Sequence, residues 1–320
     1  MQRIILMVAA LACAGAAFGQ QNYPARPMRM VIPWPPGQAT DMVGRIVAQK
    51  LTELLGQQVV ADNRPGAGGM IGTDVAAKAP PDGYTLLAGS AGPVSINPLL
   101  QKVPFDPERD LAPVANIALV PYVLASHPSF PAKSAAEFVA VVKANPGKYT
   151  FASSGTGATA HLVAELFNNM SGLKATHVPY KGSAPALTEL VGGQVTYALE
   201  TAAGTMPFVR AGRLRAYGIS IGRVSILAPE LQPLAKVANI PGYDVAAWIG
   251  VMVPAGTPKH LIQRLATEMD KAMQAADVRE RLILAGVEVD YRRTDDFTQY
   301  LKLQKARFAD VIKKGNIKIE

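Results

Sequence analysis

Small-residue loops between strand-like and helical segments are the feature of this chain that most constrains its fold. Three such loops each follow a short apolar run and lead into, or towards, a helical or turn pattern: 33–41 (PWPPGQATD), 89–92 (GSAG) and 153–159 (SSGTGAT). The alternation predicts parallel strands joined by crossover helices. The first turn of a helix has unpaired N–H groups and a positive dipole end. The loops therefore predict sites that hold a carboxylate or phosphate without an arginine.

The N-terminus has the pattern of a secretory signal. A short positive start, Met1-Gln2-Arg3, precedes the apolar run 4–12 and the small-x-small pattern Ala17-Phe18-Gly19. We predict that residues 1–19 form a signal peptide that is too short to span a membrane. Cys13 leaves open a lipoprotein alternative, in which it becomes the lipidated first residue, although the preceding residues 10–12 match that pattern imperfectly.

Cys13 is the only cysteine, so the predicted mature chain has no disulfide and no cysteine metal site. A thiol-free exported chain suits an oxidising compartment, and we predict the bacterial periplasm. No later apolar run is long enough for a membrane span. The histidines show no metal-ligand spacing, so neither a metal nor a cofactor is expected; they are His127, His161, His177 and His260.

The formal net charge of +8 raises the question of a nucleic-acid partner. The basic residues are scattered, and the only local pairs are Arg292-Arg293 and Lys313-Lys314. A binder of single strands needs a basic stripe interleaved with aromatic residues, and none is present. We therefore expect a solvated basic surface, no nucleic-acid partner and a monomer.

Chain length and pattern predict an α/β protein of two hinged lobes. The apolar stretch 111–125 and the strand-like run 245–253 both read as crossings between the lobes. Lobe 1 is predicted to contain 20–125 and 244–320, and lobe 2 to contain 126–243. Two crossings would leave a cleft between the lobes, with the anion-binding loops facing inward.

Two motifs suggest catalysis or cofactor binding, and both are weak. The run 218–222 (GISIG) matches a nucleophile elbow centred on Ser220, with His260 downstream, but no amphipathic helix follows it. An exported α/β hydrolase using Ser220 is therefore the alternative from another class. The run 155–160 (GTGATA) resembles a dinucleotide fingerprint but lacks the acidic ribose ligand about 20 residues later.

Taken together, several motifs resemble the Bug family, the periplasmic solute-binding proteins of tripartite tricarboxylate transporters. The run 33–37 with Thr40-Asp41 is similar to the family signature P-[FYW]-P-P-G-G-x-x-D. Further matching motifs follow in the same order along the mature chain: NRPGAGG (63–69), PDGYTLL (81–87), NP (97–98), SSG (153–155) with His161, VPYKG (178–182), GGQV (192–195), AGRL (211–214) and PAGTP (254–258).

The resemblance implies a type II periplasmic-binding-protein fold that closes on a ligand carboxylate held by loop amides and bridging waters. It also implies the binding residues. In lobe 1 these are Trp34, Pro36, Gly37, Gln38, Ala39, Thr40 and Asp41, with Ser90 and Ala91 nearby. In lobe 2 they are Ser153, Ser154, Gly155, Thr156, Gly157, Ala158 and Thr159. Tyr180 and Lys181 would flank the cleft, and His161 would brace the second-lobe loop.

Some of these positions have plain structural alternatives. Asp41 fits a first-turn role beside N-terminal amides as well as a ligand contact. Trp34 and Trp248 are candidates for the cleft lining or for the core; if both face the cleft, they favour a flat, aromatic carboxylate. Lys181 fits an exposed surface position or a screen for the far carboxylate of a dicarboxylate.

The chain departs from the family pattern at three places. Gln38 replaces the usual second glycine of the signature, Thr196 replaces an aspartate found in many relatives, and Glu200-Thr201 replace a common Asp-Asn pair. Loss of an acid disfavours an amino-acid ligand, although Glu200 could still pair with an ammonium. We expect a receptor that captures a dicarboxylate or aromatic carboxylate for a membrane permease. A sensor subunit that presents the ligand to a membrane kinase is the alternative among binding proteins.

Overall fold

The structure, a computed structural model, describes residues 23–318 and consists of two mixed β-sheets flanked by helices. The predicted signal peptide and Cys13 lie outside the described residues. The strands are β1 (Met28–Ile32), β2 (Val59–Asn63), β3 (Thr85–Ser90), β4 (Leu111–Val120), β5 (Tyr122–Ser126), β6 (Thr150–Ser153), β7 (Thr176–Pro179), β8 (Tyr197–Thr201), β9 (Arg215–Ile219), β10 (Ala247–Pro254) and β11 (Glu288–Arg293).

The α-helices are mostly those that the apolar periodicity predicts. They are α1 (Ala39–Leu55), α2 (Met70–Ala77), α3 (Asn97–Leu100), α4 (Pro107–Asp110), α5 (Ala135–Lys143), α6 (Thr159–Ser171), α7 (Ser183–Val191), α8 (Ala202–Arg210), α9 (Leu234–Val237), α10 (Lys259–Gln274), α11 (Ala276–Leu284) and α12 (Thr294–Gly315). The longer ones are amphipathic. In α1, for example, Val43, Val47 and Leu51 repeat at a spacing of four and are buried. Among residues 23–318, no helix combines the length and apolar character that a membrane span requires.

The first sheet has the strand order β11-β4-β10-β3-β1-β2. The strands β2, β1 and β3 are parallel, as the alternating pattern predicts. The strands β10, β4 and β11 are added antiparallel, which that pattern does not predict. The second sheet has the order β7-β6-β8-β5-β9 and also combines both orientations: β7, β6 and β8 are parallel, and β5 lies antiparallel between β8 and β9.

The chain passes from the first sheet to the second at Pro121, between β4 and β5. It returns to the first sheet with β10. The first passage falls within 111–125, and the second comes just before β10. Helices follow the carboxyl ends of β1, β6 and β8. The loops after these strands therefore lie at the carboxyl-terminal side of the sheets, where open α/β proteins bind ligands.

Three local features differ from the sequence-based expectations. The helix α8 was not predicted, because Gly204 and Pro207 interrupt its pattern. The strand β11 was not predicted because it is a charged edge strand without clear alternation. Thr257 precedes Pro258 in a pattern typical of an N-cap followed by proline, but its hydroxyl donates to the Pro254 carbonyl (2.7 Å) and Pro258 occupies the N-cap position of α10.

Candidate functional site

A cleft of about 950 Å³ is lined by residues from both sheets and the loops that follow them. This volume is at the upper end of the usual range for small-molecule sites. Fourteen of the residues predicted to bind ligand line it. They are Trp34, Gln38, Ala39, Thr40, Ser90, Ala91, Ser154, Gly155, Thr156, Gly157, Ala158, Thr159, Glu200 and Trp248.

The other predicted ligand-binding residues lie outside this lining. They are Pro36, Gly37, Asp41, Ser153, His161, Tyr180 and Lys181. Some of them form hydrogen bonds to lining residues from the side away from the cleft, and these contacts help to fix the shape of the cleft. Lys181 is exposed to solvent.

The N-terminus of α1 presents unpaired amides to the cleft. Gln38 is the N-cap residue and its side chain makes no capping hydrogen bond. The first backbone hydrogen bond runs from the Met42 N–H to the Gln38 carbonyl (2.9 Å), so the preceding amides have no carbonyl within the helix. Ala39 and Thr40, at the first two helical positions, line the cleft. This geometry suits a bound anion.

Asp41 supports this turn from its buried side. Its carboxylate accepts hydrogen bonds from the Gly37 N–H (2.9 Å) and Asn63 Nδ2 (2.7 Å), and it pairs with Arg45 (2.9 Å). Burial raises the pKa of Asp41, but these hydrogen bonds and the Arg45 charge outweigh burial and leave the pKa below its ordinary value. The Gly37 amide, predicted to meet the ligand, is therefore engaged by Asp41.

The N-terminus of α6 faces the same cleft in the same way. Its N-cap residue, Ala158, has no side-chain oxygen, and the first helical hydrogen bond runs from Leu162 to Ala158 (3.2 Å). Thr159 and Ala160 line the cleft. The uncapped N-termini of two long helices thus face one cavity. The helix α1 follows a strand of the first sheet, and α6 follows a strand of the second.

Two stacked histidines hold the loop before α6 in place. His161 Nδ1 accepts a hydrogen bond from the Gly157 N–H (3.1 Å) in this loop. The His177 ring stacks on His161 with centroids 3.8 Å apart, and its Nε2 lies 2.7 Å from Ser153 Oγ. Burial, together with His177, lowers the pKa of His161 to about 3, and burial lowers that of His177 to about 4. Both rings are therefore neutral near pH 7.

The two tryptophans differ in how they meet the cleft. Trp34 is partly exposed at the wall, and its Nε1 donates to Ser90 Oγ (2.9 Å) across two of the predicted loops. Trp248 is fully buried, donates to Ser95 Oγ (3.2 Å) and packs edge-on against Phe297, so it touches the cleft from within the core.

Glu200 lies at the end of β8 beside the α6 loop and is fully buried. Its Oε2 accepts hydrogen bonds from Ser183 Oγ (2.7 Å) and the Thr201 N–H (3.4 Å). Burial raises the pKa of Glu200 despite these hydrogen bonds and the proximity of Ser154. Ser154 lies close to this carboxyl through its N–H and its hydroxyl, while among residues 23–318 Oε1 has no hydrogen-bond partner.

The other departures from the family pattern have different consequences. Gln38 is among the residues that line the cleft. Thr196 lies away from the lining and exchanges hydrogen bonds with Thr150 (3.2 and 3.3 Å). An aspartate missing at this position therefore removes no charge from the cleft.

The sequence did not single out several lining residues. Ala67 and Gly68 lie in the glycine-rich turn after β2. Because this turn follows the carboxyl end of a parallel strand, as the loop after β1 does, the sequence could have identified it as part of the cleft lining. Tyr122 follows the crossing residue Pro121. No sequence signal marks the remaining contacts, which depend on tertiary packing; examples are Met42, Met70, Ser183, Ala203, Ala285 and Gly286.

Ser220 has no catalytic geometry. It is fully buried, its Oγ donates to the Val245 carbonyl (2.6 Å), and it accepts a hydrogen bond from the Tyr122 N–H (2.9 Å). No helix follows β9 directly, so the required elbow is missing there. Within the described part of the chain, no group of three or more His, Cys, Asp or Glu side chains is arranged to hold a metal ion.

Two α/β lobes around a cleft that presents amides define a two-lobed periplasmic-binding-protein fold, the class of solute-binding receptors. Residues 43–317 match the family described as "Tripartite tricarboxylate transporter family receptor", and the chain belongs to this family. It is a receptor and not an enzyme.

Relatives match nearly the whole chain. BugT of Bordetella pertussis is 35% identical over 319 residues, covering 99% of this chain and 98% of BugT. A protein from the tcbD-tcbE intergenic region of Pseudomonas sp. (strain P51) is 38% identical over 291 residues, which cover 91% of this chain and 86% of that protein.

Solved structures share the fold. A protein of R. palustris with adipate superposes with a TM-score of 0.78 at 32% identity, covering 92% of this chain and 99% of that one. MatC from Rhodopseudomonas palustris with bound malate has a TM-score of 0.74 at 31% identity, covering 91% of this chain and all (100%) of MatC.

Proposed function

We propose that this receptor captures a small dicarboxylate or aromatic carboxylate in the periplasm and delivers it to the permease subunits of a tripartite tricarboxylate transporter. One ligand carboxylate meets the first-turn amides of α1 and α6, and two lobes, 20–125 with 244–320 and 126–243, close around it. The observation that carries the proposal is the pair of uncapped helix N-termini in one cleft. Adipate and malate in the two related structures support the ligand class.

The composition of the cleft supports the same chemistry. Among the described residues that line it, none is Lys, Arg or His, so an anion must be held by dipoles and amides. Closure removes water from these hydrogen bonds and strengthens them. Trp34 adds an apolar wall on which the carbon skeleton of a ligand can pack.

The proposal predicts that removing a single amide weakens binding. In Ala39→Pro, the first helical residue of α1 loses its N–H, while proline is well tolerated at this position. Gln38 already has the extended backbone that a following proline requires (φ −77°, ψ 159°). A charge-assisted hydrogen bond contributes about 1.5–3 kcal/mol, so we expect the Kd to rise by at least tenfold.

Ala276→Pro is the matched control, because it makes the same change at the exposed first residue of α11, outside the cleft lining. A thermal-shift screen of carboxylates including adipate, malate and benzoate identifies a ligand, and calorimetry then compares the variants. A ligand at 100 times its Kd should stabilise the folded protein by about 2.7 kcal/mol. Equal affinity in Ala39→Pro and Ala276→Pro would show that the α1 amide does not bind the ligand.

A further inference from the structure

One buried carboxylate oxygen in the cleft has no protein partner. Glu200 Oε2 is satisfied by Ser183 and Thr201, whereas Oε1 meets no donor among the described residues. The side chain is fully buried and belongs to the cleft lining. A buried acceptor without a donor destabilises a protein, and an ionised one does so more strongly. The cleft therefore presents an acceptor at Oε1.

The position of Glu200 restricts what can meet this acceptor. Ser154, in the loop before α6, approaches the same carboxylate, and Tyr122 lies near both Glu200 and Thr159 at the start of α6. Oε1 is thus close to the place proposed for the ligand carboxylate. A carboxylate has no proton to share, and two ionised carboxylates at close range repel each other. While Glu200 is ionised, the group that meets Oε1 must therefore carry its own N–H or O–H.

The charges of the cleft lead to the same conclusion. Glu200 is the only Asp or Glu side chain among the described lining residues, and no basic side chain there neutralises it. When Glu200 is ionised, an anionic ligand without a donor would be repelled by the single acid of the cleft. A hydroxyl or ammonium next to the ligand carboxylate would convert that opposition into a hydrogen bond.

We infer that the ligand carries a hydrogen-bond donor, a hydroxyl or an ammonium, beside the bound carboxylate, and that Glu200 Oε1 accepts a hydrogen bond from it. This inference rests on the proposed carboxylate function and narrows the ligand class to hydroxy- or amino-carboxylates. Glu200 is then the residue that distinguishes such ligands from plain carboxylates of the same size.

Matched ligand series test the inference on the wild-type protein. Each series holds the carbon skeleton constant and varies one group: propionate, lactate and alanine; succinate, malate and aspartate; phenylacetate, mandelate and phenylglycine. In the series that binds, calorimetry should show the hydroxyl or ammonium member binding at least tenfold more tightly than the donor-free member. The hydroxyl and ammonium members separate the two possible donors.

Variants then assign the preference to Glu200. Glu200→Met removes the acceptor at similar size and should abolish the preference. Glu200→Gln keeps a neutral acceptor, so it should weaken an ammonium ligand at least tenfold and a hydroxyl ligand less. Glu189→Gln, the same change outside the cleft lining of the second lobe, is the control and should leave every affinity unchanged. Melting temperatures without ligand verify that each variant folds.

The outcomes separate this inference from the proposed function. If a donor-free carboxylate binds within twofold of its hydroxyl and ammonium counterparts, the inference fails while the carboxylate function stands. The inference also fails if Glu200→Met folds and keeps the wild-type preference. If no compound in any series raises the melting temperature, both fail.

Discussion

At the scale of single residues, His161 links a buried ring to the geometry of the anion loop. Its Nδ1 can accept the Gly157 N–H only while the ring is neutral. Burial and the stacked His177 keep it so, since they lower the pKa of His161 to about 3. An unfolded histidine titrates near pH 6.5.

This difference predicts a loss of stability in acid. Between about pH 6.5 and pH 3 the unfolded chain binds more protons at this residue than the folded chain, so the free energy of unfolding falls as the pH falls. Asn at position 161 can still accept the Gly157 N–H but does not titrate. We expect His161→Asn to lose less melting temperature between pH 7 and pH 5 than the wild type.

Glu165 has the opposite effect on the pH dependence of stability. Burial raises its pKa, so the folded chain retains a proton that the unfolded chain releases, and this residue increases the free energy of unfolding as the pH falls. Glu165 and His177 are present in both proteins, and both lie against His161: Glu165 Oε1 is 3.8 Å from its Nε2, and the His177 ring stacks on it at 3.8 Å. The difference between the two pH profiles therefore reports on His161 together with its effect on these two neighbours. Parallel profiles for His161→Asn and the wild type would contradict the assignment.

At the scale of elements, the helices differ in how their N-termini are capped. Ser134 caps α5 by accepting the Glu137 N–H (3.2 Å), and Thr201 caps α8 by accepting the Gly204 N–H (3.3 Å). The two helices assigned to the ligand, α1 and α6, have no side-chain cap. Their amides remain available to a ligand at the expense of helix stability.

A new cap on α6 should therefore compete with the ligand. Ala158 has the extended backbone of an N-cap residue (φ −65°, ψ 156°). A serine there would accept an N–H of the first turn, so we expect Ala158→Ser to stabilise the ligand-free protein by about 0.5–2 kcal/mol and to weaken carboxylate binding. Urea unfolding and calorimetry measure the two effects.

Ala275→Ser is the control, since Ala275 is the N-cap of α11, also extended (φ −69°, ψ 124°) and without a side-chain cap. It should stabilise the protein similarly and leave affinity unchanged. If Ala158→Ser gains stability and keeps full affinity, the α6 amides do not bind the carboxylate.

At the scale of the whole molecule, the two lobes approach closely at the rim of the cleft. Gly286, in the turn before β11, and Ala203, in α8, both line the cleft. A Cβ added to Gly286 would lie 2.6 Å from the Ala203 Cβ, much closer than two carbon atoms can pack. Glu288 adds a polar contact between the lobes, because it accepts the Ser225 hydroxyl (2.6 Å) and the Ile226 N–H (3.2 Å).

Gly286→Ala should therefore hold the lobes apart and weaken binding. The substitution also strains a left-handed backbone (φ +75°), which costs about 1 kcal/mol of stability. Gly147→Ala imposes comparable strain (φ +78°) with no atom within 4 Å of the new Cβ. We expect both variants to lose similar stability. Gly286→Ala alone should bind the ligand more weakly and should fail to become more compact when ligand is added, which small-angle X-ray scattering measures against the wild type. Equal affinities in the two variants would mean that this contact does not control closure.

Local pattern was sufficient for much of the fold. Apolar periodicity and glycine stops predict α1, α5, α6, α10 and α12 within a few residues, because a helix with one buried face needs apolar residues every three or four positions. The same reasoning missed β11 and α8. Their sequences are charged or interrupted by proline, and sheet pairing and packing decide their structure.

The sequence by itself determined that small-residue loops lead from strands into helices, because small residues and helix starts are local features. It also determined the family, through motifs in a fixed order. Only the tertiary structure decided which amides are free, since Asp41 takes the Gly37 N–H and His161 takes the Gly157 N–H. It alone decided that Oε1 of Glu200 is buried in the cleft without a donor. Hydrogen-bond partners and burial depend on side-chain positions after folding, and residue order alone does not specify them.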